Sequence, residues 1–300
     1  MIQAATPIGV HDDVSLPEYL RPETGLSKSD LHNYAVSPAK WLRERGAYSP
    51  PTAAMLLGSA VDCAITEPDA FPLRYVALDP REIAPQAKSP RATNAWKEAV
   101  ADMERAGREV LSLDDYRSCI AMRDAVHSHP AAKKLLKSAR TQLTLIWERG
   151  AYLGADGQTY RCKSRPDIVG GGQVVNLKTA YSADWWKFSR IAAEKGYFYD
   201  VAWALEGWRV LTGEEAGYSW LVVDKGTLEV AVYEATKNMV QFSEQMVAKA
   251  WTGILDALDH EVTPPRYPRP IKVDPPAYAV DDDGDIDNKP SKDGWGEVVR

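Results

Sequence analysis

Apolar residues recur along this chain with two different periods, and the change between them orders the predicted elements. Residues 25–140 follow helical spacing, in which apolar positions return every three or four residues. Ser27 and Asp30 have the spacing of a capping box, with Asp in place of the usual Glu. Pro38 breaks the first helix and Pro130 opens another, because proline fits a first helical turn but not an interior. Together these signals predict helices over 27–45, 52–68, 91–107 and 114–127.

After residue 140 the alternation shortens to every second residue, which is typical of strands. A three-strand meander is predicted over 144–148, 158–169 and 173–179, with a glycine turn at 170–172. The later elements are helices over 183–194 and 198–211, a hairpin over 218–235 and a helix over 236–258. This order predicts an α/β fold of the mixed α+β type, with one central mixed sheet, flanking helices and further helices on the N-terminal side.

Composition divides the chain into three parts. Residues 1–24 are rich in proline and lack a periodic pattern, so we expect an extended arm. Residues 25–260 carry the periodic segments and are expected to form the main domain. Residues 261–300 are proline-rich and then acidic, and we expect a loose tail.

The overall composition favours a globular protein of a reducing compartment. Hydrophobic residues make up 45% and charged residues 26%, which is ordinary for such proteins. The chain has no run of about 18 apolar residues, so no membrane span is predicted, and the first residues lack a secretory-signal pattern. Cys63, Cys119 and Cys162 are odd in number and far apart, which favours reduced thiols and leaves too few cysteines for an iron–sulfur cluster. We therefore expect a cytoplasmic location, without a membrane partner.

Charge is distributed unevenly. The formal net charge is −6, and residues 271–300 contribute most of it with eight acids against four bases. A nucleic-acid binder with this balance must concentrate its bases locally. Two basic clusters are candidates for binding DNA, the first with Lys133 and Lys134, the second with Arg161, Lys163 and Arg165. The alternative for either cluster is a solvated helix face or an exposed strand edge.

A candidate metal site lies on the last two strands of the meander. Asp167 ends one strand, and Asn176 and Lys178 lie on the next, nine and eleven positions later. Side chains two apart on a strand share a face, so Asn176 and Lys178 should meet Asp167 across the glycine turn. A metal-dependent phosphodiesterase needs oxygen ligands for a hard cation, and a lysine there can orient the attacking water and offset developing negative charge.

The two segments that carry this pattern, RPDIV (165–169) and VVNLKTA (174–180), resemble the core of PD-(D/E)XK nucleases. Five further stretches resemble the RecE / exodeoxyribonuclease VIII family, which is common in phages and prophages. These stretches are residues 25–42, 53–76, 142–147, 196–208 and 219–235. Their order and spacing, from about residue 25 to 260, are more specific than any single motif.

The resemblance implies an ATP-independent exonuclease that digests linear duplex DNA from 5′ ends and leaves 3′ single strands. It implies Mg²⁺ as the cofactor, with Mn²⁺ as a substitute, and a PD-(D/E)XK, restriction-endonuclease-like core. It also implies a homo-oligomeric ring around DNA and a single-strand annealing protein as a partner in homologous recombination, in the cytoplasm of a bacterial host.

Four positions depart from the family pattern. Asn176 stands where the family has Asp or Glu, Asp62 where it has His, Gln142 where it has Glu, and Asp200 about where it has Gln. We expect Asp62, Asp167 and Asn176 to hold the metal, with Lys178 and Gln142 as further catalytic residues. The alternatives are a salt bridge between Asp62 and an arginine, and an ordinary strand-edge role for Gln142. Asp200 is expected to be a helix-surface acid, and Glu148 is ranked below Gln142 as a surface acid.

Asn176 leaves the activity of this chain open. An amide can offer a carbonyl oxygen but removes a full charge, which should weaken Mg²⁺ binding. The natural site has therefore lost or relocated a ligand, or Asn176 is an introduced Asp→Asn change; the otherwise maintained site favours the second. The alternative function is a protein on a degenerate nuclease fold that binds DNA ends or a partner without cutting.

Overall fold

The computed structural model describes residues 6–47, 52–150 and 157–263. These residues belong to the first of two compact units, which comprises residues 1–263. Most of the expected C-terminal tail, from residue 264 onward, lies outside the described residues. None of the helices in the described residues is long and apolar enough to cross a membrane.

Most of the predicted helices are present, interspersed with short elements that the periodicity did not predict. The α-helices are α1 Leu16–Tyr19, α2 Lys28–Val36, α3 Pro38–Glu44, α4 Ala53–Thr66, α5 Phe71–Arg74, α6 Pro80–Ile83, α7 Asn94–Arg105, α8 Leu113–Ser128, α9 Pro130–Leu136, α10 Trp185–Glu194, α11 Tyr197–Thr212 and α12 Lys237–His260. The strands are β1 Gly9–His11, β2 Tyr75–Ala77, β3 Glu109–Leu111, β4 Arg140–Thr141, β5 Thr144–Gly150, β6 Thr159–Ser164, β7 Ile168–Gly170, β8 Gln173–Ala180, β9 Gly217–Asp224 and β10 Val230–Glu234. Two 3-10 helices cover Pro22–Thr24 and Pro90–Ala92.

The helix boundaries follow the predicted punctuation. The Ser27 N–H donates to Asp30 Oδ2 at 2.8 Å, which completes the capping box of α2. Ser37 has extended backbone between α2 and α3, as expected for the residue before a proline. Pro130 occupies the first turn of α9. The predicted capping box, the break before Pro38 and the helix start at Pro130 are therefore confirmed.

The predicted central mixed sheet is confirmed, and a second sheet that was not predicted lies beside it in the chain order. A five-stranded sheet has the order β10-β9-β8-β7-β4, and a separate three-stranded sheet has the order β1-β5-β6. Only the β8–β9 pair of the five-stranded sheet is parallel. The predicted second strand is divided into β6 and β7 at 165–167, because Pro166 has no N–H to donate to a ladder. Gln142 separates β4 from β5 for a different reason, because its backbone has a left-handed φ of 56°.

Helices cover both faces of the five-stranded sheet. On one face Val175 and Leu177 of β8 pack in a buried cluster with residues of α4 and α8, among them Ala64 and Met122. On the other face Val174 belongs to a cluster that includes residues of α2, α11 and α12. Since side chains alternate along a strand, Asn176 and Lys178 project toward the face of Val174 and therefore toward α11.

Candidate functional site

Asp167 lies where the chain crosses from one sheet to the other. β6 ends at Ser164 and β7 begins at Ile168, so Asp167 lies just outside the last β7–β8 pair, Ile168 with Val175. Its Oδ2 accepts a 2.6 Å hydrogen bond from the backbone N–H of Leu177. The carboxylate therefore caps an N–H of β8 and is fixed beside the middle of that strand.

Lys178 lies beside Asp167, and Asn176 contacts Lys178 on the same face of β8. Lys178 Nζ lies 3.9 Å from Asp167 Oδ2 and donates to Asn176 Oδ1 at 2.5 Å and to the Leu177 carbonyl at 2.9 Å. Asn176 is buried, and the Lys178 ammonium also lies 5.1 Å from the ring centre of Tyr197. The lysine is thus held by oxygen atoms on several sides. Its role in catalysis stays a prediction.

Asp62 and Gln142 form the second part of the site. Gln142 Nε2 donates to Asp62 Oδ2, while Gln142 Oε1 accepts from Arg165 Nε at 3.2 Å. The backbone N–H of Gln142 donates to the Asp167 carbonyl at 3.0 Å, which joins the two parts. Within the described ranges Asp62 forms no ion pair with an arginine, and its buried Oδ1 has no hydrogen-bond partner. The partner of Asp62 is therefore the Gln142 amide, and Gln142 has more than a strand-edge role.

Asp200 is part of the same cluster, and the expectation of a helix-surface acid was wrong. Asp200 is only 5% exposed, and its Oδ2 accepts a 2.6 Å hydrogen bond from Asn176 Nδ2. The reason is that the residues around it on α11, from Tyr199 to Ala204, are all buried, so this part of the helix has no face toward water. A single acid within the run YFYDVAWAL is the signal that could have shown this, because a lone carboxylate is costly to bury without a partner.

Two other residues of the site were not anticipated. Lys28 opens α2 and places its ammonium 5.2 Å from the ring centre of Tyr197, the ring that Lys178 also faces. Burial lowers the pKa of Lys28, and the charge of Asp200 opposes that change. Gly196 precedes α11 with a left-handed φ of 68°, and a Cβ there would collide with the His32 ring of α2. A glycine is therefore required for α11 to start this close to α2. By contrast, Glu148 is an exposed residue of β5, as expected.

Burial dominates the electrostatics of the carboxyl groups in the site. Burial raises the pKa of the Asp62 carboxyl well above its usual value, and the nearby charge of Asp167 raises it further. Burial also raises the pKa of Asp167, against the opposing effect of Lys178 and of the Leu177 N–H. Both carboxyl groups would be stabilised in their ionised form by a bound cation.

The donor atoms fit a hard divalent cation, which prefers oxygen ligands. Asp62 and Asp167 supply two neighbouring carboxylates, and one Asp62 oxygen is buried without a partner. In the described part of the chain, no three His, Cys, Asp or Glu side chains are grouped as a metal site would group them. On β8, Asn176 places an amide at the position where the motif has an acid. One or two carboxylates are nevertheless the usual number for protein-bound Mg²⁺.

The second basic cluster does not form the open surface that was expected. Lys163 is buried, and its Nζ donates to the carbonyls of Tyr19 and Arg21, each at 2.8 Å. Burial lowers the pKa of Lys163 to about 8. Arg165 Nη1 donates to the Val14 carbonyl at 2.8 Å, and Arg161 Nη2 donates to the Thr6 carbonyl. These three cations bind the main chain of the N-terminal segment, residues 6–24. Phosphates would have to displace that segment to reach them.

The first basic cluster lies on the surface. Lys133 and Lys134 are exposed residues of α9, a helix that packs on β7 through buried residues such as Ala132 and Leu135. Their side chains are free to contact a phosphate backbone. Their role in DNA binding stays a prediction.

Comparisons with known proteins concern the family and the fold of this chain. A family model described as "PDDEXK-like domain of unknown function (DUF3799)" matches residues 26–267. No curated protein matches the chain. The crystal structure of a "Putative exonuclease" from Eubacterium rectale aligns over 89% of this chain and 97% of that chain, with a TM-score of 0.56 and 16% identity. The crystal structure of SSO0001 aligns over 73% of this chain and 86% of that chain, with a TM-score of 0.26 and 12% identity, which is too low to support an argument.

The likeness to the Eubacterium rectale protein supports the fold alone, since the identity is low. The family match is broader evidence, because it covers most of the chain and contains every residue of the site described above. Nucleases of the PD-(D/E)XK type generally use divalent metal ions, in agreement with the oxygen-rich cluster. The chain therefore belongs to the PDDEXK-like domain family DUF3799 of the PD-(D/E)XK nuclease superfamily.

Proposed function

We propose that this protein is a Mg²⁺-dependent exonuclease that degrades linear double-stranded DNA from 5′ ends and leaves 3′ single-stranded tails. The observation that carries the proposal is the convergence of Asp167, Asn176 and Lys178, with Lys178 Nζ 3.9 Å from Asp167 Oδ2 and 2.5 Å from Asn176 Oδ1. A carboxylate and a lysine brought together from neighbouring strands resemble the core motif of PD-(D/E)XK nucleases. The 5′ polarity and the duplex substrate rest on the resemblance to the RecE family.

Each residue of the cluster has a chemical task in this proposal. Asp62 and Asp167 would hold the cation, which supplies charge stabilisation and a more acidic bound water. Gln142 orients Asp62 through its amide. Lys178 orients the attacking water and offsets negative charge that develops on the phosphate. The peptide N–H of Leu177 keeps Asp167 in place.

DNA binding in this proposal relies on bases that are exposed. Lys133 and Lys134 of α9 are available, whereas Arg161, Lys163 and Arg165 are bound to the N-terminal segment. The resemblance extends the proposal to a homo-oligomeric ring, a single-strand annealing partner and a role in recombination in the cytoplasm of a bacterial host. Light scattering on the purified protein tests the ring, since a ring requires at least three chains.

A second function is favoured by one residue. Asn176 removes a charge where the motif has an acid, and this favours a protein that binds DNA ends without cutting them. Both functions require the same fold and the same access for DNA. They differ in whether bonds are broken when Mg²⁺ is present.

A single assay separates the two functions. Linear duplex DNA labelled at either the 5′ or the 3′ end is incubated with Mg²⁺ and the protein, or its Asp167→Asn variant, and closed circular DNA is the control. We expect early release of the 5′ label, survival of the circle, and loss of activity in the variant. An intact linear duplex that is nevertheless bound in a gel-shift experiment would support the non-cleaving alternative and refute the exonuclease. Attack on the circle would refute dependence on ends.

A further inference from the structure

We infer that an aromatic and basic surface beside the proposed catalytic cluster binds single-stranded DNA by stacking on its bases. This surface, the aromatic platform, consists of Tyr181, Trp186, Lys187, Arg190 and Lys225. The source of the strand rests on the proposed function, because an exonuclease that digests one strand of a duplex exposes unpaired bases of the other. Unpaired bases are the ones that offer a free face to an aromatic ring.

Two aromatic side chains of the platform are exposed to an unusual degree. Tyr181 is 85% exposed and Trp186 is 76% exposed, although large aromatic side chains are usually buried for most of their area. The neighbouring Trp185 shows the usual arrangement, with its ring centre 4.9 Å from that of Tyr233 and 6.5 Å from that of Trp220. Within the described residues the Trp186 ring has no comparable partner. Trp186 therefore presents its ring to solvent and adds little to the core.

The backbone that carries the two rings is fixed. Asp184, the one acid of residues 181–190, caps α10 because its Oδ1 accepts from the Trp186 N–H at 3.0 Å. The Lys225 N–H donates to the Ala180 carbonyl at 2.9 Å, which holds the β9–β10 turn against the end of β8. An aromatic ring has few rotatable bonds, so a ring on a fixed backbone loses little conformational freedom when a base stacks on it.

Three cations surround the rings. Lys225 Nζ lies 5.4 Å from the ring centre of Tyr181. Arg190 follows Trp186 by four residues on α10 and Lys187 by three, so these side chains are neighbours on the helix surface. Lys187 and Arg190 are exposed, and in the described part of the chain neither forms an ion pair. This local positive charge, in a chain whose net charge is −6, complements the phosphates of a strand whose bases stack on the rings.

The platform lies next to the proposed catalytic cluster. Tyr181 follows Lys178 by three residues, and β8 continues as far as Ala180. Because a strand rises about 3.3 Å per residue, the backbones of Lys178 and Tyr181 are about 10 Å apart. An unpaired strand held on the platform would therefore lie close to the place where the end of the duplex is cut.

A contact between two copies of the chain is the competing explanation for the exposed rings. In a two-fold contact the same surface meets itself, so the cations of the platform would be brought close to their own copies. Like charges that face each other across an interface are costly. Single-stranded DNA brings phosphates to the same cations, and we therefore favour it as the partner.

The test is the binding of fluorescein-labelled strands to the full chain in EDTA, measured by fluorescence anisotropy. The two probes are oligo(dT) and an abasic strand of the same length, which keeps the phosphates and lacks the bases. We expect Trp186→Ala to weaken the binding of oligo(dT) at least about fivefold, because one base–aromatic stack is lost, and to leave the binding of the abasic strand unchanged. Trp186→Phe keeps an aromatic face and should retain most of the affinity. The matched control is Leu73→Ala, which truncates a side chain of α5 that is similarly exposed, at 73%.

The cations of the platform have a separate readout. The double variant Lys187→Gln/Arg190→Gln should lower the slope of log binding constant against log salt concentration by about 0.7 for each phosphate contact that is lost. The decrease should be the same for oligo(dT) and for the abasic strand, because both carry the same phosphates. An unchanged slope for both probes would overturn the role of the two cations.

Several results would overturn the stacking surface. Equal affinity of the wild-type chain for oligo(dT) and for the abasic strand is one, and this comparison decides if Trp186→Ala does not fold. Another is a folded Trp186→Ala variant that binds oligo(dT) as tightly as Leu73→Ala does. If light scattering shows that Trp186→Ala abolishes self-association while the affinity for oligo(dT) is unchanged, the platform is a contact between copies instead.

The binding test is independent of the nuclease, because EDTA removes the metal that cleavage requires. Base-dependent binding of oligo(dT) by a chain that does not cleave linear duplex DNA in Mg²⁺ would refute the nuclease alone. Cleavage by a chain that does not distinguish oligo(dT) from the abasic strand would refute the stacking surface alone.

Discussion

Lys178→Met removes one charge from the centre of the site while keeping the length of the side chain. The ammonium lies 3.9 Å from Asp167 Oδ2, and two unit charges at that distance attract each other by about 4 kcal/mol at an effective dielectric of 20. Both side chains are less than a fifth exposed, so part of this attraction is offset by the cost of desolvating them. We therefore expect the variant to lose about 2 kcal/mol of unfolding free energy when no metal is present.

The loss of activity should be larger than the loss of stability. Removing one preorganised group that stabilises developing charge slows catalysis by about 10²–10³-fold. Mg²⁺ should also stabilise the variant more than the wild type, because the bound cation takes over the neutralisation of Asp167. Urea unfolding in EDTA and in Mg²⁺ measures the first quantity, and release of nucleotides from linear duplex DNA measures the second.

The matched control for Lys178→Met is Lys249→Met, the same change at an exposed position of α12. It should leave both stability and activity near the wild-type values. Activity of Lys178→Met within about threefold of wild type would refute the assigned role of the lysine. An equal stability change in the two variants would show that the 3.9 Å pair contributes nothing beyond a surface charge.

Three other predictions follow from particular contacts. The pKa values of Asp62 and Asp167 are raised in the folded protein, so the unfolded chain releases these protons at lower pH. Without metal, the free energy of unfolding should therefore fall as pH rises from about 4 through the raised pKa values. Melting curves recorded across this pH range measure the fall, and Mg²⁺ should abolish it. Gly207→Ala would place a Cβ 2.7 Å from the buried Trp147 ring, so we expect the free energy of unfolding to fall by about 1–2 kcal/mol in chemical denaturation. The control is Gly58→Ala, where a Cβ would meet no atom within 4 Å, and its free energy of unfolding should rise by up to about 1 kcal/mol. Deleting residues 1–21 should free the second basic cluster for contact with DNA. The slope of log binding constant against log salt concentration, measured in EDTA, should then steepen by about 0.9 for each new phosphate contact. An unchanged slope in a deletion variant that circular dichroism shows to be folded would contradict this.

The short elements show where sequence patterns fail. β2 and β3 are three residues each and pair in parallel across a separation of 34 positions, so neither has enough residues to display a period. The division of the predicted second strand at Pro166 had a visible local signal, the missing N–H. Its consequence did not, because the choice of partners for β6 and β7 depends on strands elsewhere in the chain.

The sequence by itself determined the helices with strong periodicity, the turn between β7 and β8, and the common face of Asn176 and Lys178. Each of these depends on backbone geometry over a few neighbouring residues, which the residue types specify directly. Only the tertiary structure decided that Asp200 meets Asn176 and that Lys163 binds the carbonyl of Tyr19, 144 positions away. Contacts of that kind depend on which helix packs on which strand, and the packing is set by the burial of many side chains together, so no local pattern records it.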